Sequence, residues 1–370
     1  MKKFLIISPK NRTIYNFRGD LIKEIQKKDY EVYVTLPNED NIEKIKELNV
    51  KYEIIPLTKH GLNFFEDFKY LFKLSFFIKK IKPDKILAYT VKPIIYGSIA
   101  NKISNGNNFY SMMTGSGYVF ISKSFKAKIL NFIVKNLYRI AFNYSKKIIF
   151  FNNDDLKDFV NKKIVSKEKC FLVNGSGVNL EKFYPLPYPE RVTFFMLSRL
   201  LKSKGVIQYL KACEKIKMKY QDVRCILLGK IENMPDAIPE NEIMHFVNNN
   251  TIELFGETDN VLDYYKQSSV YVLTSYREGI PRTVLEAMAC ARPIIVTDVP
   301  GCRETVIDNH NGFLVKLNDV DELVEKMEWF IKNRDDIEKF GKNSYNLCRE
   351  KFDDKKVNEK MMKILEKGKL

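Results

Sequence analysis

Short apolar runs alternate with helical patterns from one end of this chain to the other, and the whole alternation occurs twice. In the first half, residues 4–8, 31–36, 51–55, 85–88, 109–113, 147–151 and 170–173 read as buried strands, with amphipathic helices between them near 18–28, 64–81, 93–104 and 124–144. Strands kept apart by helices cannot pair as hairpins, so they form a parallel sheet covered on both faces. The segment YPLPYP (184–189) then interrupts the pattern and reads as a stiff linker. Strand runs resume at 192–197, 224–228, 251–255, 270–273 and 294–297, with helices near 205–220, 261–266, 281–290, 319–332, 335–351 and 355–367. The expectation is an α/β protein of two Rossmann-like, doubly wound domains over 1–183 and 190–352. A length of 370 residues suits two such cores. A cleft between the carboxyl ends of the two sheets is where such folds bind ligands.

The opening MKKFLIISPKN is too short in apolar residues for a secretory leader. Its run stops at Ile7, and Pro9, Lys10, Asn11 and Arg12 follow, which suits a first buried strand. No stretch reaches the roughly 18 apolar residues of a membrane span. Six cysteines without a CxxC pair fit a reduced, cytoplasmic protein with buried thiols. His60, His245 and His310 lack ligand spacing, so no metal site is expected.

The net charge of +16 is uneven: residues 1–190 carry 33 Lys and Arg against 18 Asp and Glu, while the rest carry 29 against 28. No acidic residue lies between Asp84 and Asp154. Such an imbalance either serves solubility or faces an anionic partner, a membrane surface or nucleic acid. The absence of a helix-turn-helix, zinc-finger or ribonucleoprotein motif, and of exposed aromatic-basic alternation, argues against nucleic acid.

The strongest local signal is TSYREGIPRTVLEAMACARPIIVTD (274–298). A strand ends in a loop holding Glu278 and Gly279, and Pro281 suits the first position of the next helix. Amides and partial positive charge at that helix start favour a diphosphate, and Gly279 lets backbone approach a ligand. Glu286, eight residues after Glu278 in an otherwise apolar stretch, can accept two hydrogen bonds from a vicinal diol such as a ribose. A second signal, LSRLLKSKG (197–205), places Arg199 and Lys204 on a strand-to-helix loop where two cations would neutralise a diphosphate. A third, FGETDN (255–260), ends another strand, where backbone can read a base edge.

Together with NGSGVNLEKFYP (174–185) and DVPGCRETVIDNHNGFLV (298–315), these segments resemble the retaining glycosyltransferases of family 4, with the two-domain GT-B fold, over nearly the whole chain. The resemblance implies that Arg199 and Lys204 hold the donor diphosphate and Glu278 meets the transferred sugar. Glu286 would take the ribose, Gly256, Glu257 and Thr258 the base, and Gly279, Ile280 and Pro281 line the donor. It implies a last helix (353–370) returning to the first domain, and no cofactor. The closest branch builds capsule, O-antigen and lipid-linked oligosaccharides, which implies UDP-GalNAc, UDP-GlcNAc or UDP-galactose as donor and a polyprenyl-diphosphate-linked glycan as acceptor. Many members carry a donor-contacting histidine in the first domain; here the matching strand end reads MMTGSGY with Thr114 and Gly115, so no catalytic residue is assigned there.

The resemblance also implies retention of anomeric configuration. The acid-free stretch 85–153 offers no carboxylate nucleophile, which favours same-face substitution without a metal. Two apolar-plus-basic helices fit the headgroup layer of anionic lipid on the inner face of the cytoplasmic membrane, although both also suit ordinary sheet-covering helices and much of each stripe must be core. One carries Phe125, Ile129, Phe132, Ile133, Leu137, Ile140 and Ala141 beside Lys126, Lys128, Lys135 and Arg139. The other carries Phe65, Phe68, Leu71, Phe72, Phe76 and Phe77 beside Lys69, Lys73, Lys79 and Lys80. A transferase acting on a soluble acceptor, and a non-catalytic nucleotide-sugar or nucleic-acid binder, stand as alternatives.

Overall fold

A computed structural model describes residues 1–58, 63–115 and 125–366, with backbone alone over 125–128. His60, residues 116–118 of MMTGSGY, and the side chains of Phe125, Lys126 and Lys128 lie outside the described residues.

Two sheets form. The first holds β1 (Lys2–Ile7), β2 (Tyr30–Leu36), β3 (Lys51–Ile54), β4 (Lys85–Tyr89), β5 (Phe109–Met113), β6 (Lys147–Phe150) and β7 (Cys170–Leu172), in the order β3-β2-β1-β4-β5-β6-β7. The second holds β8 (Thr193–Leu197), β9 (Arg224–Leu228), β10 (Glu253–Phe255), β11 (Val270–Leu273), β12 (Ile294–Thr297) and β13 (Gly312–Val315), in the order β10-β9-β8-β11-β12-β13. Every pairing among them is parallel. This is the doubly wound α/β architecture expected from the alternation. Its central strands are solid apolar runs because both of their faces are covered: Leu5, Ile6 and Ile7 are fully buried, as are Ile294, Ile295 and Val296.

Three strands expected to be buried are instead edges. β3, β7 and β10 each have one neighbour, and Lys51, Tyr52 and Glu53 of β3 are exposed. Lys51 pairs there with Glu31 of the adjoining strand, the kind of charge that keeps an edge from templating another chain. β13 was not expected as a strand. Its four-residue run follows a polar turn, with Asn309 in the left-handed region (φ 58°) and buried Asn311 donating to the Thr305 carbonyl at 3.0 Å.

By packing, the chain divides into one unit of Met1–Ser176 together with the chain from Val357, and a second of Gly177–Lys356. The division precedes the proline-rich segment, which is part of the second unit and not a free linker. Fully buried Arg292 explains this: its Nη2 donates to the Pro187 carbonyl (2.7 Å), its Nε to the Tyr265 carbonyl (2.9 Å), and its guanidinium lies 4.4 Å from the centre of the Tyr188 ring. Tyr188 in turn donates to the Ala291 carbonyl.

The chain enters and leaves the second unit side by side. Val178 donates to the Phe352 carbonyl (2.8 Å) and accepts from the Asp354 amide (3.1 Å). Gly177 has φ +67°, and a Cβ there would stand 2.5 Å from Asp354 Cα. The final helix, Asp354–Glu366, buries Met361, Met362, Ile364 and Leu365. Its last carbonyls, which no helix can satisfy internally, accept from the first unit: Lys147 Nζ reaches Ile364 O at 2.6 Å and the Tyr110 hydroxyl reaches Leu365 O at 3.1 Å.

The helix Phe64–Ile81 starts at Asn63, whose side chain accepts from the Glu66 amide, with Glu66 and Asp67 in its first turn and Lys79 and Lys80 in its last. Tyr70, Leu74, Phe77, Ile78 and Ile81 face the core. Phe77 is thus the part of the apolar stripe that covers the sheet, whereas Phe64, Phe65, Phe68, Phe72 and Phe76 are 68–83% exposed. Among the described residues, no helix is long and apolar enough to cross a membrane.

Candidate active site

The order of the second sheet reverses between β8 and β11, so the loops leaving those strands diverge from one point at the carboxyl end, where doubly wound sheets open a crevice. The loop after β8 is pinned by Leu200 and Leu201, both buried, and closes at Gly205. Gly205 has φ +68°, and a Cβ would stand 1.8 Å from the Thr274 carbonyl oxygen, so glycine alone fits there. Thr274, just past β11, donates its hydroxyl to Gly205 O at 2.7 Å, and the Tyr276 amide donates to Ser203 O at 3.0 Å. Stitched this way, the two loops bring Lys204 Nζ to 2.5 Å from Glu278 Oε1, with both side chains largely buried.

A third loop braces Glu278 from the other side. The Glu278 amide donates to Pro300 O (3.0 Å), and Gly301 (φ +86°) approaches so closely that a Cβ would lie 2.4 Å from Glu278 O and 2.5 Å from Gly279 O. Gly279, Ile280 and Pro281 are buried between these loops. The helix begins at Arg282, so Pro281 is its cap (φ −72°, ψ 113°) and not its first helical residue as expected. An extended ψ at that position turns the chain into the helix, and the Pro281 carbonyl accepts from the Val284 amide at 3.1 Å.

Arg199 goes elsewhere. Its Nε donates to Glu232 Oε1 at 3.0 Å and its Nη2 lies 2.9 Å from Met234 Sδ. Both partners belong to the loop after β9, which Asp236 fastens down by accepting from the Ser203 hydroxyl and amide. The structure therefore joins Lys204 to Glu278 but couples Arg199 to a carboxylate 33 residues away that no sequence signal marked. Gly256 and Glu257 are exposed and Thr258 half-buried after β10; a Cβ at Gly256 would meet open space.

Glu286 lies one turn into the helix, its side chain 12% exposed. Arg282 Nε donates to its Oε1 at 3.2 Å, and the Tyr265 hydroxyl stands 3.2 Å from its Oε2. Burial raises its pKa, and Arg282 and Tyr265 oppose that shift. Arg282 and Tyr265 were not singled out from the sequence. An arginine four residues before a glutamate on a helix is an ordinary surface pattern, and only the burial of the pair makes it informative.

Two family models match this chain: glycosyl transferases group 1 over residues 180–347, and glycosyl transferase 4-like over residues 5–153. The chain belongs to the group 1, family 4-like glycosyltransferases. The glycosyltransferase is 26% identical over 341 residues to the N,N'-diacetylbacillosaminyl-diphospho-undecaprenol α-1,3-N-acetylgalactosaminyltransferase of Campylobacter jejuni, covering 88% of this chain and 89% of that one. It is 26% identical over 293 residues to the UDP-Gal:α-D-GlcNAc-diphosphoundecaprenol α-1,3-galactosyltransferase of Escherichia coli, covering 75% and 74%. Its fold is GT-B. It superimposes on the Anabaena protein HepE, solved in complex with UDP, with a TM-score of 0.76 at 16% identity over 99% of both chains.

Proposed function

We propose that this glycosyltransferase moves a hexose or N-acetylhexosamine from a UDP-sugar (UDP-GalNAc, UDP-GlcNAc or UDP-galactose) to a saccharide carried on polyprenyl diphosphate. The observation that carries the reading is the Lys204–Glu278 pair, held at the strand-order reversal beside a helix start. That arrangement sets a cation for pyrophosphate next to an acceptor for sugar hydroxyls. The names of the two relatives, which describe transfer to diphosphoundecaprenol-linked sugars, support the acceptor class.

In this reading Lys204 and Arg199 take the diphosphate, Arg199 by exchanging Glu232 for phosphate oxygen. Glu278 accepts from hydroxyls of the transferred sugar, Glu286 from the ribose, and the backbone of Gly256, Glu257 and Thr258 meets the base. Gly279, Ile280 and Pro281 form the wall. The C1–O bond to the β-phosphate breaks as the acceptor oxygen bonds to C1 on the same face. The acceptor's proton passes to the departing phosphate oxygen, giving UDP with configuration retained. Positioning and charge stabilisation supply the catalysis, and the reaction as written needs no divalent metal.

The protein would work at the inner face of the cytoplasmic membrane. Five exposed phenylalanines on the helix Phe64–Ile81, with Lys69, Lys73, Lys79 and Lys80 also exposed, support contact with anionic lipid.

The test is transfer of radiolabelled sugar from each of the three donors in the presence of polyprenyl-diphosphate-linked glycan and chelator. Label partitioning into organic solvent is the expected result. Label that stays with a water-soluble acceptor would favour the soluble-acceptor reading, and no UDP-sugar raising the melting temperature would reject the donor class.

A further inference from the structure

Glu286 is a carboxylate restrained at both oxygens, but unequally. The Tyr265 hydroxyl lies 3.2 Å from Oε2 and 2.9 Å from the Thr283 carbonyl, so its single proton is divided between them. Arg282 brings a full charge to Oε1 and is itself tied down: its Nη1 donates to the Gly177 carbonyl at 2.6 Å. That carbonyl cannot drift, because the adjoining Val178 is bonded to both Phe352 and Asp354. A guanidinium gripped at two of its nitrogens holds its plane, which an ammonium cannot do.

We propose that Arg282 is a positioning residue that fixes the ionised Glu286 carboxylate for the ribose hydroxyls of the donor, with the Gly177 carbonyl as its backstop. This rests on the reading of Glu286 as the ribose acceptor and adds the group that makes it selective. An ionised carboxylate can take protons from both hydroxyls of a vicinal diol, whereas a protonated one must spend an oxygen on its own proton. Arg282 therefore governs whether Glu286 recognises a diol at all. Burial pushes the Glu286 carboxyl up and Arg282 leads the groups that pull it back, followed by Tyr265 and Lys182. The other titratable groups facing it are Tyr271 and Cys290, and burial keeps both neutral, Cys290 at about 12. Loss of Arg282 thus moves the protonation of Glu286 to higher pH.

The test compares binding of UDP and 2'-deoxy-UDP to the full-length protein by calorimetry across pH. The pyrophosphate's own titration is common to both ligands and cancels in the ratio of the two affinities. The intact protein is expected to favour UDP by about tenfold, the scale of a hydrogen bond to a charged group. R282Q should bring the ratio near unity and add nothing further in an E286Q background, while R282K keeps part of the ratio and loses it at a higher pH than the parent. A ratio untouched by R282Q while E286Q abolishes it would overturn the role of Arg282. Equal weakening of both ligands by R282Q would overturn it too, marking a scaffold residue. A ratio indifferent to E286Q would instead remove the ribose reading beneath it. Should R282Q fail to fold, the pH dependence of R282K decides.

Discussion

At the scale of single residues, Lys204 and Glu278 form an ion pair across 2.5 Å. In the proposed reading, a nucleotide sugar bound there would meet a cation and an anion already aligned, so little reorganisation would accompany the build-up of charge on the leaving phosphate. Lys204→Ala is expected to lower turnover by about 10²-fold or more, measured under single-turnover conditions with saturating donor. An activity within threefold of the parent would take Lys204 out of the chemistry. Both members of the pair were legible from the sequence, because each stands on a loop leaving an unmistakable apolar strand. Glu232 and Arg282 were not. One is a carboxylate in a polar loop far along the chain, the other an arginine spaced like any helix-surface ion pair, and neither pattern reveals its partner.

At the scale of elements, the helix Phe64–Ile81 has two apolar faces and only one of them is used internally. Tyr70, Leu74, Phe77 and Ile78 are core, whereas Phe65, Phe68 and Phe72 are not. Apolar periodicity alone could not assign the two faces, so which members of the stripe are core was not legible in the sequence. Changing Phe65, Phe68 and Phe72 together to serine should leave the melting temperature nearly unchanged, because exposed positions contribute within about 0.5 kcal/mol each. Flotation with anionic vesicles should fall at least tenfold, and unaltered flotation would discharge this helix from membrane contact. The strands were mostly legible because parallel, doubly covered strands are continuous apolar runs. The edge positions of β3, β7 and β10 were not, since strand order is a property of the fold and leaves no mark on composition. β13 escaped because GFLV is too short to stand out after the polar turn before it.

At the scale of the whole molecule, the first unit is completed by the last helix. Lys147 is buried with its ammonium 4.9 Å from the centre of the Phe171 ring, and burial, then Lys146 and Lys85, lower its pKa. Its bond to the Ile364 carbonyl offsets part of that cost. Lys147→Ala should destabilise the first unit by about 1–3 kcal/mol, the cost of leaving a buried acceptor without its donor. Hydrogen exchange should place the faster opening in the helix Asp354–Glu366. Protection lost evenly across the sheet would show that the lysine serves the core and not the helix.

The side-by-side passage of the chain at Val178 and Asp353 bears on how the molecule is made. The second unit is an insertion whose two ends are neighbours, and its sheet is built entirely from its own residues. The first unit draws on both sides of that insertion, because it buries Met361, Ile364 and Leu365 from beyond it. The two stretches of the first unit are thus joined across the whole of the second, a long-range closure that costs chain entropy.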